Sequence, residues 1–259
     1  MASRTIENYL KQLWLEEQAA ARCAPGEGNR LVRGRPCVSM GRLAQTVGVT
    51  PGTTTTMVKA MADAGLARYT PRAGVRLTRA GEQLALHVLR RHRLLELFLV
   101  EVLGIDWAAA HNEAEELEHA VSDMVLAHMD RLLGHPSVDP HGDPIPTACG
   151  SVHMPDVSSL SDIKPGGRTT IVRILDQSPE FLDFARNCGL VPRAQVTVEK
   201  VSGQSQAMSV RPGSLPEVSI SVAVAGKFQV VPCRAGRHRA KRGRPAAALR
   251  TAGPGQGRA

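Results

Sequence analysis

The sequence predicts a mainly α protein in three parts, helical at the front and middle and β-rich at the end, with a basic tail. Three observations carry this. Apolar residues recur at helical spacing, between capping signals, from the N-terminus to about Leu133. One pair of short β-prone arms, LARYTPRAGVRLT, interrupts that pattern. Beyond residue 165 the chain changes to short β-prone runs. At 259 residues it is long enough for two or three domains, which the composition places at 1–78, 79–150 and 165–232, with a tail over 233–259.

In the first part, Ile6, Tyr9, Leu10, Leu13 and Trp14 predict an amphipathic helix, followed by a Gly/Pro/Arg-rich loop, APGEGNRLVRGRP. Ser39 caps a short helix that ends at Gly48. Thr50 caps a third, with Pro51 at its first position, where a missing N–H costs nothing, and Gly65 beyond its end. Two short helices joined by the tight turn VGVTPG form a helix-turn-helix, and the β-prone arms around their Pro/Gly turn form a wing.

In the second part, one helix is predicted over about 79–103 and another over about 107–133. A long apolar helix beside a charged one suits a dimerisation unit, or an intramolecular core. GHPSVDPHGDPIPTACG (134–150) is too rich in Pro and Gly for helix or strand and is expected to be an ordered turn or a linker. In the third part, RTTIVRIL, AQVTVEKV, EVSISVAVAG and KFQVVP, with the helical SPEFLDFARNCGL between the first two, predict a small antiparallel barrel. The tail has no hydrophobic period and is expected to be disordered.

The net charge of +8 is unevenly spread. Residues 1–80 hold 12 Lys/Arg against 5 Asp/Glu, residues 81–150 hold 4 against 12, and residues 234–259 hold 8 and no acid. A basic front suits a polyanion and an acidic middle suits cations. No apolar run is long enough to span a membrane and no signal core precedes the first charges, so the expected location is cytoplasmic, with no membrane partner. The five cysteines include no CxxC pair, which argues against zinc ribbons and disulfide scaffolds; Cys23 and Cys37, which flank the loop, are expected to be free thiols.

The candidate chemistry lies in HNEAEELEHAVSD (111–123). At 100° per residue, His111, Glu115, Glu118 and His119 share one helical face; Leu117, Val121 and Met124 lie on a packing side, and Glu113 and Glu116 are solvated. His92 and Glu96 supply a second pair at i and i+4. Imidazole and carboxylate without sulfur favour Mn²⁺ or Fe²⁺ over soft metals. Taken alone, His92 and Glu96 are more readily explained as a helix-surface pair, but the crowded 111–119 face needs a cation to offset its charge. Glu116 and His119 have the ExxH spacing of di-iron bundles, but no second copy exists, so no enzyme and no small-molecule substrate are expected.

HRLLELFL, AHNEAEELEHAVSD and GHPSVDPHGDPIP, preceded by a winged helix-turn-helix, resemble the metal-dependent transcriptional repressors of the diphtheria toxin repressor and manganese transport regulator family. The resemblance implies a homodimer made by the helical middle domain, two metal ions per subunit, and an SH3-like third domain. Its ligands would be His92, Glu96, His111, Glu115, Glu118 and His119, with Asn8 from the first helix. Glu115 stands where iron-type members have Cys and manganese-type members have Glu, which favours Mn²⁺ over Fe²⁺. Asn8 replaces an expected Asp or Met, and Lys11 replaces the acid of some manganese members. The third domain's ligand pair does not map cleanly: Glu180 and Asp183 fit surface carboxylates better.

For double-stranded operator DNA, the recognition helix offers Thr50, Pro51, Gly52, Thr53, Thr54, Thr56 and Lys59. Arg42, Arg68, Arg72 and Arg76 suit phosphates. The expected function is a metal-activated repressor of metal-homeostasis genes, the alternative being a metal-independent winged-helix regulator. The basic tail is expected to add nonspecific DNA affinity or to have no role.

Overall fold

The computed structural model describes residues 3–23 and 36–233. Most of the predicted Gly/Pro/Arg-rich loop, the Cys23 side chain and the basic tail lie outside the described residues.

Helix α1 (Arg4–Cys23) buries Tyr9, Leu10, Leu13 and Trp14, the predicted stripe. Helix α2 (Met40–Val47) starts where the Ser39 hydroxyl accepts from the Arg42 N–H and stops at Gly48, whose φ of 73° is left-handed. Helix α3 (Pro51–Asp63) starts at Thr50, which accepts from the Thr53 N–H. Strands β1 (Ala67–Thr70) and β2 (Gly74–Leu77) pair as an antiparallel hairpin. Val58, Met61, Val75 and Leu77 close one apolar core with α1 and with Ala85, Leu86 and Leu89 of α4 (Arg79–Glu101).

Helix α4 serves the front core and both small middle cores, the second of these through Leu94. Its first half belongs to the front core, while Leu95 and Leu99 pack on Ala110 and Ala114 of α5 (Ala110–Leu117). His92 lies between these two sets of core residues, and Glu96, one turn on, lies between Leu95 and Leu99.

The single helix predicted over 107–133 is two helices: α5 ends at Leu117 and α6 runs from Asp123 to Leu132. The break has a local cause. Ser122 takes extended backbone and accepts from the Val125 N–H, and Asp123 in the first turn favours a new helix start. Of the predicted packing side, Val121 packs between the two small middle cores within the chain, while Leu117 and Met124 are exposed.

The 134–150 segment is ordered. Asp139 accepts from the His141 and Asp143 N–H groups, forming a turn whose residues 141–146 are buried. Beyond it come β3 (Ser158–Ser159), a 3-10 turn, β4 (Arg168–Ile174), α7 (Pro179–Asn187), β5 (Gln195–Ser202), β6 (Ala207–Pro212), β7 (Val218–Ser221), α8 (Val222–Ala225) and β8 (Phe228–Pro232). The six strands form one antiparallel sheet in the order β3-β8-β4-β5-β6-β7, packed around Ile171, Leu182, Val198, Met208 and Phe228. EVSISVAVAG is not one strand: Ser221 caps the short helix α8 after β7. Strand β6 goes unpredicted because AMSVRP alternates apolar and polar residues too briefly to stand out.

Candidate metal centre

Two clusters of ligand-type atoms meet at His92. On its Nε2 side, Glu96 Oε1 lies at 2.9 Å and His111 Nδ1 at 3.2 Å, with His111 Nδ1 and Glu96 Oε1 2.8 Å apart. The i, i+4 spacing on α4 brings His92 and Glu96 together, and α5 packing on Leu95 and Leu99 delivers His111. Glu96 is buried at 1% exposure and His92 at 5%, while His111 is partly open to solvent.

On the other side, His92 Nδ1 meets Glu118 Oε2 at 2.8 Å and lies 3.9 Å from Glu115 Oε1. Glu118 is the C-terminal cap of α5 and keeps helical dihedrals, so it still faces the cluster although α5 has ended. His119, in the turn that follows, is held by α1: its Nδ1 is 2.8 Å from Glu7 Oε2 and its Nε2 is 2.8 Å from Asn8 Oδ1. Its Nε2 also lies 3.3 Å from Glu118 Oε1. All seven candidate ligands are thus brought together, though not around one point.

Two α1 residues complete the arrangement. Glu7 had no assigned role, yet it orients His119; its signal was an i, i+4 relation to Lys11 beside Asn8. Lys11 is buried at 2% exposure, with Nζ 2.7 Å from Glu115 Oε1 and 2.8 and 3.1 Å from the two Glu118 oxygens. Glu113 and Glu116 are exposed, as predicted, and Glu116 pairs with Arg4.

The electrostatics follow from this packing. Burial opposes a charged His92, but the Glu96 charge and hydrogen bonds to Glu118 and Glu96 outweigh it and raise the ring to about 9. Burial likewise opposes the Glu96 carboxylate, but His92 and the His111 hydrogen bond hold it well below the usual range. Glu118 is lowered against burial by His92 and Lys11.

A third buried group adjoins Glu96. The His141 ring lies near Glu96 and Asp139, stacks on Trp107 and approaches the Trp107 carbonyl through Nε2 at 3.1 Å. Burial and the neighbouring Asp143 raise Asp139 well above the usual carboxylate range. Arg93 donates to the Pro144 carbonyl at 2.6 Å and to Asp143 Oδ1 at 3.1 Å; Asp143 also receives Arg173 and, at 2.6 Å, Gln177. Glu180 and Asp183 are exposed on α7, as surface carboxylates.

On α3, Thr50, Pro51, Gly52, Thr53, Thr56 and Lys59 are exposed, as the sequence predicts. Thr54 is not: it is fully buried, and its hydroxyl donates to the Thr50 carbonyl, because the helix turns that position toward the core with Val58 and Met61. Thr55 and Thr56 also donate to carbonyls one turn back, so their hydroxyls are engaged by their own helix. Arg72 sits at the exposed hairpin tip with φ of 66°, Arg68 is exposed and Arg76 half-buried. Arg42 is exposed and paired with Glu16 at 2.9 Å.

Residues 78–147 match the model of the iron dependent repressor metal binding and dimerisation domain, and residues 158–230 match that of the FeoA domain. The chain is 30% identical to the iron-dependent repressor IdeR of Mycobacterium leprae over 208 residues, covering 75% of this chain and 84% of that relative. It is 27% identical to the diphtheria toxin repressor of Corynebacterium efficiens over 238 residues, covering 88% and 96%. The solved structure of a manganese-dependent transcriptional repressor in complex with manganese superposes with a TM-score of 0.75 at 34% identity, covering 88% of this chain and all of that one.

The atoms around His92 Nε2 fit such an ion. Adjacent ligands of a six-coordinate ion with bonds of about 2.1 Å lie about 3 Å apart, and the three separations here are 2.8, 2.9 and 3.2 Å. The oxygens of Glu115 and Glu118 fit an ion less well, because an ammonium already stands between them.

Proposed function

The chain belongs to the diphtheria toxin repressor and manganese transport regulator family, and from that premise we propose that it is a homodimeric, DNA-binding transcriptional repressor activated by a divalent metal. The observation that carries the proposal is the convergence of His92 Nε2, Glu96 and His111 at cis-ligand spacing on the helix that joins the front and middle cores. Imidazole and carboxylate donors without sulfur support Mn²⁺, with Fe²⁺ as the alternative. When bound, the ion supplies positive charge that draws α4 and α5 together.

The chain's own residues carry that event to the DNA-binding end. His92 is shared: fixing its Nε2 side fixes the ring, and its Nδ1 then sets Glu118. Glu118 holds Lys11 of α1 and lies against His119, which in turn holds Glu7 and Asn8. Helix α1 packs in the core that seats α2, α3 and the hairpin, so its position sets theirs. We assign α2, α3 and the hairpin as a winged helix-turn-helix. Its exposed Thr50, Thr53, Thr56 and Lys59 would enter a major groove, while Arg42, Arg68, Arg72 and Arg76 would lie along phosphates. With threonine hydroxyls turned to their own helix, methyl contacts and DNA shape would carry sequence preference.

Large apolar side chains left exposed on α5 (Leu117) and α6 (Met124, Val125 and Leu132) support these two helices as the homodimer contact. The six-stranded unit is assigned as the family's SH3-like domain. DNA affinity measured with added Mn²⁺ and again after chelation with EDTA tests the proposal: equal affinities would sink it.

A further inference from the structure

Lys11 occupies a place that the chemistry around it would otherwise give to a cation from solution. Its ammonium has three N–H donors, and three carboxylate oxygens surround it: Glu115 Oε1 at 2.7 Å and the Glu118 oxygens at 2.8 and 3.1 Å. The side chain is 2% exposed and Glu118 wholly buried, so water offers the pair almost no competing contact. Those oxygens, with His92 Nδ1, make up the second cluster of ligand-type groups. The carboxylates facing Lys11 Nζ therefore have partners without a metal: both lie within hydrogen-bond distance of the ammonium, Glu118 Oε2 also meets His92 Nδ1, and His119 lies alongside Glu118.

We propose that Lys11 is a resident, tethered cation of the Glu115–Glu118 cluster, so that each subunit takes one hard divalent ion, at His92, Glu96 and His111, in place of the two that the family resemblance implies. An ion seated on Glu118 Oε1, His119 Nε2 and Asn8 Oδ1 would share its carboxylate oxygen with the ammonium, and like charges so close disfavour one another. The same contact ties α1 to the end of α5 before any metal arrives. Part of the linkage between the DNA-binding and middle regions is thereby permanent.

The proposal depends on divalent-ion binding at His92, Glu96 and His111. Its test is the number of Mn²⁺ ions bound per full-length chain, counted by isothermal titration and by the electron-spin-resonance signal of free Mn²⁺. Wild type and Lys11→Arg should bind one ion per chain, whereas Lys11→Glu and Lys11→Gln should bind two. Circular dichroism melts of the metal-free variants identify any that fail to fold, and Lys11→Gln keeps the comparison open should Lys11→Glu be lost. Two ions in the wild type would overturn the proposal while leaving metal activation intact. One ion in every variant would also overturn it, because Lys11 would not be what excludes the second. No ion in any of them would overturn the metal-binding reading itself.

Discussion

Raising the pH should weaken the metal-free fold and strengthen metal binding, and His92 accounts for both signs. With burial outweighed by Glu96 and by its hydrogen bonds, the folded ring titrates at about 9, against about 6.5 when unfolded. Between those values the folded chain holds more protons than the unfolded one. The stability contributed by the charged ring is therefore complete below about pH 6.5 and lost as the pH rises to about 9. A difference of about 2.5 units corresponds to at most about 3 kcal/mol. For an ion the sign reverses, because Nε2 must lose its proton to donate a lone pair. Proton competition at about pH 7 then weakens binding about 100-fold, and log affinity climbs by about one per pH unit toward pH 9. Titration calorimetry of Mn²⁺ across about pH 6.5–8.5, in buffers of different ionisation heat, reads both the slope and the proton released. A flat affinity with no proton released would refute the reasoning.

Four further outcomes are expected. Arg93→Met removes the donors to Pro144 and Asp143 while Arg173 and Gln177 remain on Asp143; it should cost about 3 kcal/mol by urea unfolding, the lower end for a broken buried pair. In Gly142→Ala the new Cβ would stand 1.9 Å from the Val172 carbonyl oxygen, on backbone with φ of 88°, so a loss of about 2–3 kcal/mol is expected, and an unchanged melting temperature would contradict it. Thr50→Ala removes the cap on α3 and should cost about 1 kcal/mol in thermal unfolding. Lys59→Ala should reduce the salt slope of DNA binding by about one, whereas Thr54→Val, being buried, should leave that slope unchanged.

The parts of this molecule written in local chemistry were legible in its sequence. Ser39, Gly48, Thr50, Gly65 and Thr78 act within a few residues of themselves, and each marks the helix boundary assigned to it or, for Thr78, begins α4. The candidate ligands could be gathered because helical spacing is also local. What was missed depends on partners far along the chain. Glu7 reaches His119, and Lys11 reaches Glu118, across more than a hundred residues. Thr54 looked like its exposed neighbours because four consecutive threonines carry no sign of which one faces the core. The break at 118–122 was hidden for a different reason: Ser122 is a weak stop signal inside a sequence whose spacing reads as helix on both sides.

Asp143 has a consequence for any attempt to shorten the protein. It receives Arg93 from the helix bearing His92 and Glu96, Arg173 from a strand of the last sheet, and Gln177 just beyond that strand. A fragment cut near residue 150 would keep every candidate ligand and look self-sufficient on paper. It would nonetheless remove two of the three side chains that restrain this carboxylate, the partner of Arg93, which stands three residues along α4 from Glu96. Affinities measured on such a fragment would describe a differently braced helix, and the sheet would have been misjudged as ballast when it is part of the frame.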